Sequence, residues 1–282
     1  MADDLKLTIA GVIKKYGLLK DKWNAKSLGQ HFLCDPSLLK KIVLCALPIE
    51  NLDVVEIGPG PCGLTREILK IIKDGSIYCI EKDKTLKPIY DNLIQNSSEN
   101  LKFIYEDALK IKPQSLTERN IAIISNLPYN VATKLLINWL SDLSRIDSMV
   151  LMFQKEVADR ICAKTSTKEY GRLSVISQLF CKTERLFDVS NTAFFPKPKV
   201  MSTVVKLIPK KEKIKNLNLL EALTASCFQH RRKTIYSILK KFYNTDVKKV
   251  LELCDIRQTS RPENISPIKF LELSERLHNA RF

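Results

Sequence analysis

The chain has little histidine, no closely spaced cysteines and a deficit of acid. Its three histidines, His31, His230 and His278, are far apart, and although eight cysteines occur, no two stand as C-x-x-C. That pattern argues against a structural zinc site and against a disulfide framework; reduced thiols used as small core hydrophobes fit it better. Long apolar runs are also missing. The longest, Ile42 to Ile49, is far too short to span a bilayer, and Asp3 and Asp4 stand where a secretory signal would carry positive charge. A cytoplasmic protein is expected. No internal repeat or low-complexity tract is present. Carboxylates number 31 against 46 lysines and arginines, a net charge of +15, so a polyanionic partner is indicated.

What is present suits a folded globular protein. The 282 residues, 45% of them hydrophobic, suffice for one large domain and a small one. Apolar residues at helical spacing between 5 and 19 predict a short amphipathic helix, followed by the polar loop Lys26-Ser27-Leu28-Gly29-Gln30-His31-Phe32-Leu33. Asp35 and Pro36 stand as N-cap and first residue of a helix running to about Leu47. Four strands are expected next, at Asp53–Ile57, Ser76–Ile80, Leu101–Tyr105 and Ile121–Asn126, alternating with helices. This is the signature of an α/β doubly wound parallel sheet. Further helices are expected at Lys134–Leu143, at Lys155–Ala163 and after Tyr170, and further strands at Asp147–Phe153, Arg185–Val189 and Val200–Leu207.

In such sheets ligands bind beyond the carboxyl ends of the strands, and here each strand ends on chemistry. The first is followed by Gly58-Pro59-Gly60-Pro61-Cys62-Gly63, a G-x-G-x-x-G turn that lets a ligand approach the backbone. The second ends at Glu81, placed to accept hydrogen bonds from both hydroxyls of a ribose, and the third at Glu106-Asp107. The fourth ends at Asn126-Leu127-Pro128-Tyr129, where an amide, a backbone carbonyl and an aromatic ring are set together by a proline-restricted turn. Each feature alone has an ordinary reading as a helix cap or turn; their coincidence at successive strand ends is the argument. A nicotinamide dinucleotide uses the glycines and Glu81 but leaves Asp107 and the Asn126 turn without a role. S-adenosylmethionine uses all of them: its amino acid part at the glycines, ribose on Glu81, adenine amine on Asp107 and methyl towards Asn126.

The C-terminal part is basic. The charged stretch Pro209 to Asn216 suggests a boundary between domains 1–209 and 210–282, and from Lys206 to Phe282 17 Lys or Arg face 8 Asp or Glu, carrying +9 of the total. Arg231, Arg232 and Lys233 form its densest run and are candidates for phosphate contact. So are Lys197 and Lys199 in the rigid segment Phe194-Phe195-Pro196-Lys197-Pro198-Lys199, whose aromatics suit base stacking.

These blocks, in this order, resemble the small-subunit ribosomal RNA adenine N6,N6-dimethyltransferases, relatives of the erythromycin-resistance methylases. The resemblance runs through Lys26 to Leu33, Glu56 to Gly60, Glu81, Asp107 to Leu109, Asn126 to Tyr129, Tyr170 to Ser174, Phe194 to Val200, Arg231 to Lys233 and Arg261 to Glu263. It implies a Rossmann-like methyltransferase sheet with a small all-helical C-terminal domain. It implies S-adenosylmethionine as cofactor, held by His31, Leu33, Gly58, Glu81, Asp107 and Asn126, with Asn126, Leu127, Tyr129 and Phe194 around the reacting base. Many relatives have Asn in place of His31, and often a smaller residue in place of Phe195; stacking is therefore assigned to Phe194. The implied substrate is a pair of adjacent adenosines in a hairpin near the 3′ end of 16S RNA in the small ribosomal subunit, with a role in subunit biogenesis. A monomer without metal is expected. Two other readings stand beside this one: a nicotinamide-dependent oxidoreductase, and a non-catalytic RNA-binding assembly factor that retains the cofactor fold.

Overall fold

The computed structural model describes residues 6–18, 31–97, 100–210 and 217–279. Residues 26–30 of the predicted loop and most of the predicted boundary, 211–216, lie outside them. Two compact units emerge: Met1–Ala158 with Glu184–Pro209, and Asp159–Thr183 with Lys210–Phe282.

The first unit is built on a seven-stranded sheet. In chain order its strands are β2 (Asp53–Ile57), β3 (Ile77–Ile80), β4 (Leu101–Ile104), β5 (Ile121–Asn126), β6 (Ile146–Gln154), β7 (Cys181–Val189) and β9 (Ser202–Pro209), while β1 (Phe32–Leu33) and β8 (Phe194–Phe195) form a separate antiparallel ribbon. The helices of this unit are α1 (Ile9–Lys15), α2 (Pro36–Leu44), α3 (Gly63–Leu69), α4 (Lys87–Gln95) and α5 (Ala132–Leu140), with α6 (Lys155–Cys162) at the passage between the units. Sheet order is β4-β3-β2-β5-β6-β9-β7; neighbours from β4 to β6 run parallel and β9 runs antiparallel to β6. The expected parallel sheet is thus extended by antiparallel pairing at one side. All five residues of β2 and all four of β3 are buried, as strands covered on both faces require. The Asp35 carboxylate accepts the N–H groups of Ser37 and Leu38 and so starts α2 where expected.

From β2 the chain winds outward through β3 to β4; it then returns to β5, on the other flank of β2, and winds the opposite way. The order reverses between β2 and β5, which opens a crevice at their carboxyl ends. The Ser125 hydroxyl donates to the Ile57 carbonyl at 2.7 Å and pins the two strand ends together.

The second unit is helical: α7 (Arg172–Phe180), α8 (Leu217–Gln229), α9 (Ile235–Phe242), α10 (Val247–Leu253) and α11 (Pro267–Asn279). The sequence boundary after residue 209 is one of the actual crossings, but residues 159–183 belong with the helical unit rather than with domain 1–209. The cause is α7, whose apolar residues Val175, Ile176 and Leu179 are buried where it packs on α8 and α11. Tyr170, fully buried, donates its hydroxyl to the Ile265 carbonyl at 2.8 Å and sits edge-on to Phe228.

Candidate active site

A cleft opens at the crevice between β2 and β5, lined by residues of the glycine turn, Glu81, Lys82, Glu106 to Ala108 and Asn126 to Val131, together with His31 and Phe32. Gly58 and Gly60 have φ of +63° and +53°, the left-handed region where a side chain is strained. A Cβ on Gly60 would meet two ring atoms of Phe32 at 2.7 Å, so glycine is needed there for packing as well as for conformation.

Beneath the turn lies Glu56, fully buried. Burial pushes its carboxyl up to about 8 even though the Thr65 hydroxyl donates to it at 2.6 Å. Glu81 is also buried and also raised, by desolvation first, with the backbone N–H of Asp83 pulling the other way. Its Oε1 accepts that N–H at 2.8 Å and its Oε2 accepts the Tyr90 hydroxyl at 3.2 Å. A carboxylate offers about four acceptor sites, so Glu81 has capacity beyond these bonds for a hydroxyl group. Asp107 differs: the Leu109 N–H and then the Lys82 ammonium, 3.0 Å from Oδ2, hold its carboxyl below the ordinary range.

Asn126 is partly buried at the end of β5, and its Nδ2 donates to the His31 carbonyl at 2.8 Å. A carbonyl can only accept, so this bond fixes the amide with Oδ1 as its remaining acceptor. The His31 ring is held in turn, since Nδ1 must donate to the Pro196 carbonyl at 2.7 Å. It lies 5.5 Å from the Tyr129 ring, centroid to centroid, at an interplanar angle of 31°. Tyr129 is anchored through its hydroxyl to Ser202 on β9, and burial raises its phenol.

His31, Gly58, Glu81, Asp107, Asn126, Leu127 and Tyr129 are therefore brought together. Leu33 and Phe194 are not. They face each other across the ribbon, 4% and 5% exposed, inside the apolar core. The antiparallel register explains the change: directly opposed residues share a face, so Leu33 and Phe194 point one way and Phe32 and Phe195 the other. Phe32 takes the cleft position expected of Leu33. Sequence reasoning also passed over Lys82, which follows Glu81, and Ser125 and Ser202, whose bonds span strands that only the folded sheet brings together.

Arg231 departs from expectation as well. Its guanidinium donates to the carbonyls of Lys168 and Thr167 and its Nε stands 3.6 Å from Glu263, so it braces the helical unit. Arg232, Lys233, Lys197 and Lys199 are exposed. Among the described residues no group of three or more His, Cys, Asp or Glu is placed to hold a metal ion, and no helix is long and apolar enough to cross a membrane.

The crevice of a doubly wound sheet, a left-handed glycine turn, a buried carboxylate beyond β3 and an oriented amide fit an S-adenosylmethionine-dependent methyltransferase. A family model described as "Ribosomal RNA adenine dimethylase" matches residues 22–279. The chain belongs to the ribosomal RNA adenine dimethylase family. It is 40% identical over 264 residues to "Ribosomal RNA small subunit methyltransferase A" of Wolbachia sp. subsp. Drosophila simulans (strain wRi), covering 93% of this chain and 95% of the relative. It is 39% identical over 277 residues to the protein of the same name from Zymomonas mobilis subsp. mobilis, covering 97% of each. Among solved structures it is similar to a dimethyladenosine transferase from Plasmodium falciparum, with TM-score 0.76, 27% identity and coverage of 88% of this chain and 98% of the other. The 23S rRNA methyltransferase ErmE, with TM-score 0.66 and 24% identity over 88% of this chain and 99% of the other, shares the fold.

Proposed function

We propose that this chain transfers methyl groups from S-adenosylmethionine to the N6 amines of two adjacent adenosines in a hairpin near the 3′ end of 16S RNA, giving N6,N6-dimethyladenosine, in the cytoplasm during small-subunit biogenesis and as a monomer. The residues fit the cofactor. Gly58 and the rest of the glycine turn would hold its amino acid part, Glu81 its ribose and Asp107 its adenine amine. When bound, the cofactor supplies a sulfonium methyl as electrophile.

The protein's task is to prepare a weak nucleophile. The lone pair of an adenine amine is delocalised into the ring, and acceptors that take its N–H bonds favour a more tetrahedral nitrogen. Asn126 Oδ1 and the Leu127 carbonyl are those acceptors, and Tyr129 is the stacking wall that holds the base in line. Asn126 orients the amine; it is not a base, and the proton leaves to water after transfer. After one methylation a single N–H remains, and rotation of the amino edge presents it again to the same pair. The observation that carries this reading is the Asn126 amide, turned by the His31 carbonyl so that its oxygen is the atom on offer. A nicotinamide oxidoreductase has no use for it.

Phosphate contacts are assigned to Arg232 and Lys233 on the helical unit and to Lys197 and Lys199 on the first. The test is incubation with radiolabelled cofactor and undermethylated ribosomal subunits, followed by mass spectrometry of nucleosides. Dimethyladenosine in small-subunit RNA is expected. Monomethyladenosine as the only end product with excess enzyme and cofactor would sink dimethylation, and label confined to large subunits would reassign the substrate.

A further inference from the structure

The ribbon that closes the cleft presents a second aromatic surface. Phe195 is opposed to Phe32, a cleft-lining residue, and shares its face of the ribbon, yet it is 39% exposed. The chain beyond it is held to the cleft by the bond from His31 to the Pro196 carbonyl. Along the same segment Lys197 and Lys199 are exposed, Val200 and Met201 are each 43% exposed, and no carboxylate occurs from Ser190 to Met201. Large apolar side chains flanking two exposed lysines are a poor docking face for another protein, since lysine is depleted from such interfaces. They suit single-stranded nucleic acid, which offers π-faces to a ring and phosphates to cations.

We propose that Phe195 is a stacking platform for the nucleotide next to the target adenosine, with Lys197 and Lys199 holding its phosphates. This rests on the substrate reading above and deepens it. The target's own place, beside Asn126 and Tyr129, lies within the cleft, whereas Phe195 stands outside its lining. A base stacked there fixes the neighbour while the target is turned inward. Where two adjacent adenosines are modified, the platform holds one while the other reacts, and it is a determinant of which RNA is accepted.

The test uses the full chain and undermethylated small subunits. Phe195→Leu keeps apolar bulk and removes the aromatic face; Phe195→Trp enlarges that face. Stacking of about 1 to 3 kcal/mol per base corresponds to roughly 5- to 150-fold in affinity. For a partly exposed ring, Phe195→Leu is expected to raise KM for subunits about tenfold, with kcat, thermal midpoint and cofactor Kd within about twofold or a degree or two of wild type. Phe195→Trp is expected to keep the wild-type KM. Lys197→Gln with Lys199→Gln is expected to flatten the dependence of log KM on log salt. Equal KM values for the Leu and Trp variants, at whatever level, would overturn the platform. A wild-type chain that binds cofactor but methylates no small subunit would instead overturn the substrate reading, and this proposal with it.

Discussion

The cleft at the end of β5 and the cationic run after α8 were both candidate sites in sequence, yet the fold treats them differently. At the cleft, groups from distant segments converge and keep acceptor capacity: Asn126 gives its N–H to the His31 carbonyl and keeps its oxygen, and Glu81 accepts from Asp83 and Tyr90 without filling its acceptor sites. In the run Arg231 to Lys233, the arginine that heads it is engaged with the Thr167 and Lys168 carbonyls and with Glu263. The difference is geometric. A strand end in a doubly wound sheet projects its next residues into a crevice whatever their identity, whereas a run of cations has no built-in direction, and each guanidinium binds the nearest acceptors.

The sharpest way to break this comparison is at Asn126. Asn126→Ala is expected to lower methyl transfer by about 10²- to 10³-fold, the scale for losing one aligned hydrogen-bonding group in a preorganised site, while cofactor Kd changes by only a few-fold. Single-turnover transfer beside calorimetry reads both, and equal collapse of the two would place Asn126 in the scaffold instead. Glu81→Ala is expected to weaken the cofactor by about 10- to 100-fold, as loss of charge-assisted hydrogen bonds should; an unchanged Kd would remove it from the ribose.

Glu56 tests the floor of the cleft through pH. Because the folded chain holds a proton up to about pH 8 that the unfolded chain releases in the ordinary carboxylate range, stability is greatest below that range and declines as pH rises towards 8. The slope from this one group is at most about 1.4 kcal/mol per pH unit, and Glu56→Gln is expected to remove it in urea titrations at pH 5.5, 7 and 8.5. In the helical unit, Arg231→Gln is expected to cost about 1 to 3 kcal/mol of stability. Arg232→Gln with Lys233→Gln should leave the thermal midpoint in place and lower the slope of log K against log salt by about 0.7 to 0.9 for each lost contact. If the single and the double variant behaved alike, the contrast between brace and contact would fail.

Much of the first unit was legible because its signals are local. Glycine, proline and a carboxylate placed after an apolar run report their own geometry, and so β2 to β5, the glycine turn, Glu81, Asp107 and Asn126 fall where expected. What sequence did not show depends on pairing across long separations. The facing of Phe194 and Phe195 follows from the register with β1, two residues long and too short to carry an alternation of its own. The membership of residues 159–183 in the helical unit follows from α7 finding its partners more than thirty residues downstream, beyond the strands of the other unit. Lys82 on Asp107 joins the ends of adjacent strands, a contact that no spacing announces.

The same ribbon governs when the enzyme becomes competent during its own synthesis. The ring of His31 is seated by Pro196, 165 residues later, and the His31 carbonyl turns Asn126, 95 residues on. At roughly 5 to 20 residues per second, the segment that completes this arrangement is made some 10 to 30 s after His31. Until then the glycine turn and the carboxylates stand on a sheet without its last antiparallel strand and without the ribbon. Alignment of the amine for methyl transfer is accordingly a property of the nearly finished chain, and a nascent chain stalled before β8 is expected to transfer no methyl groups.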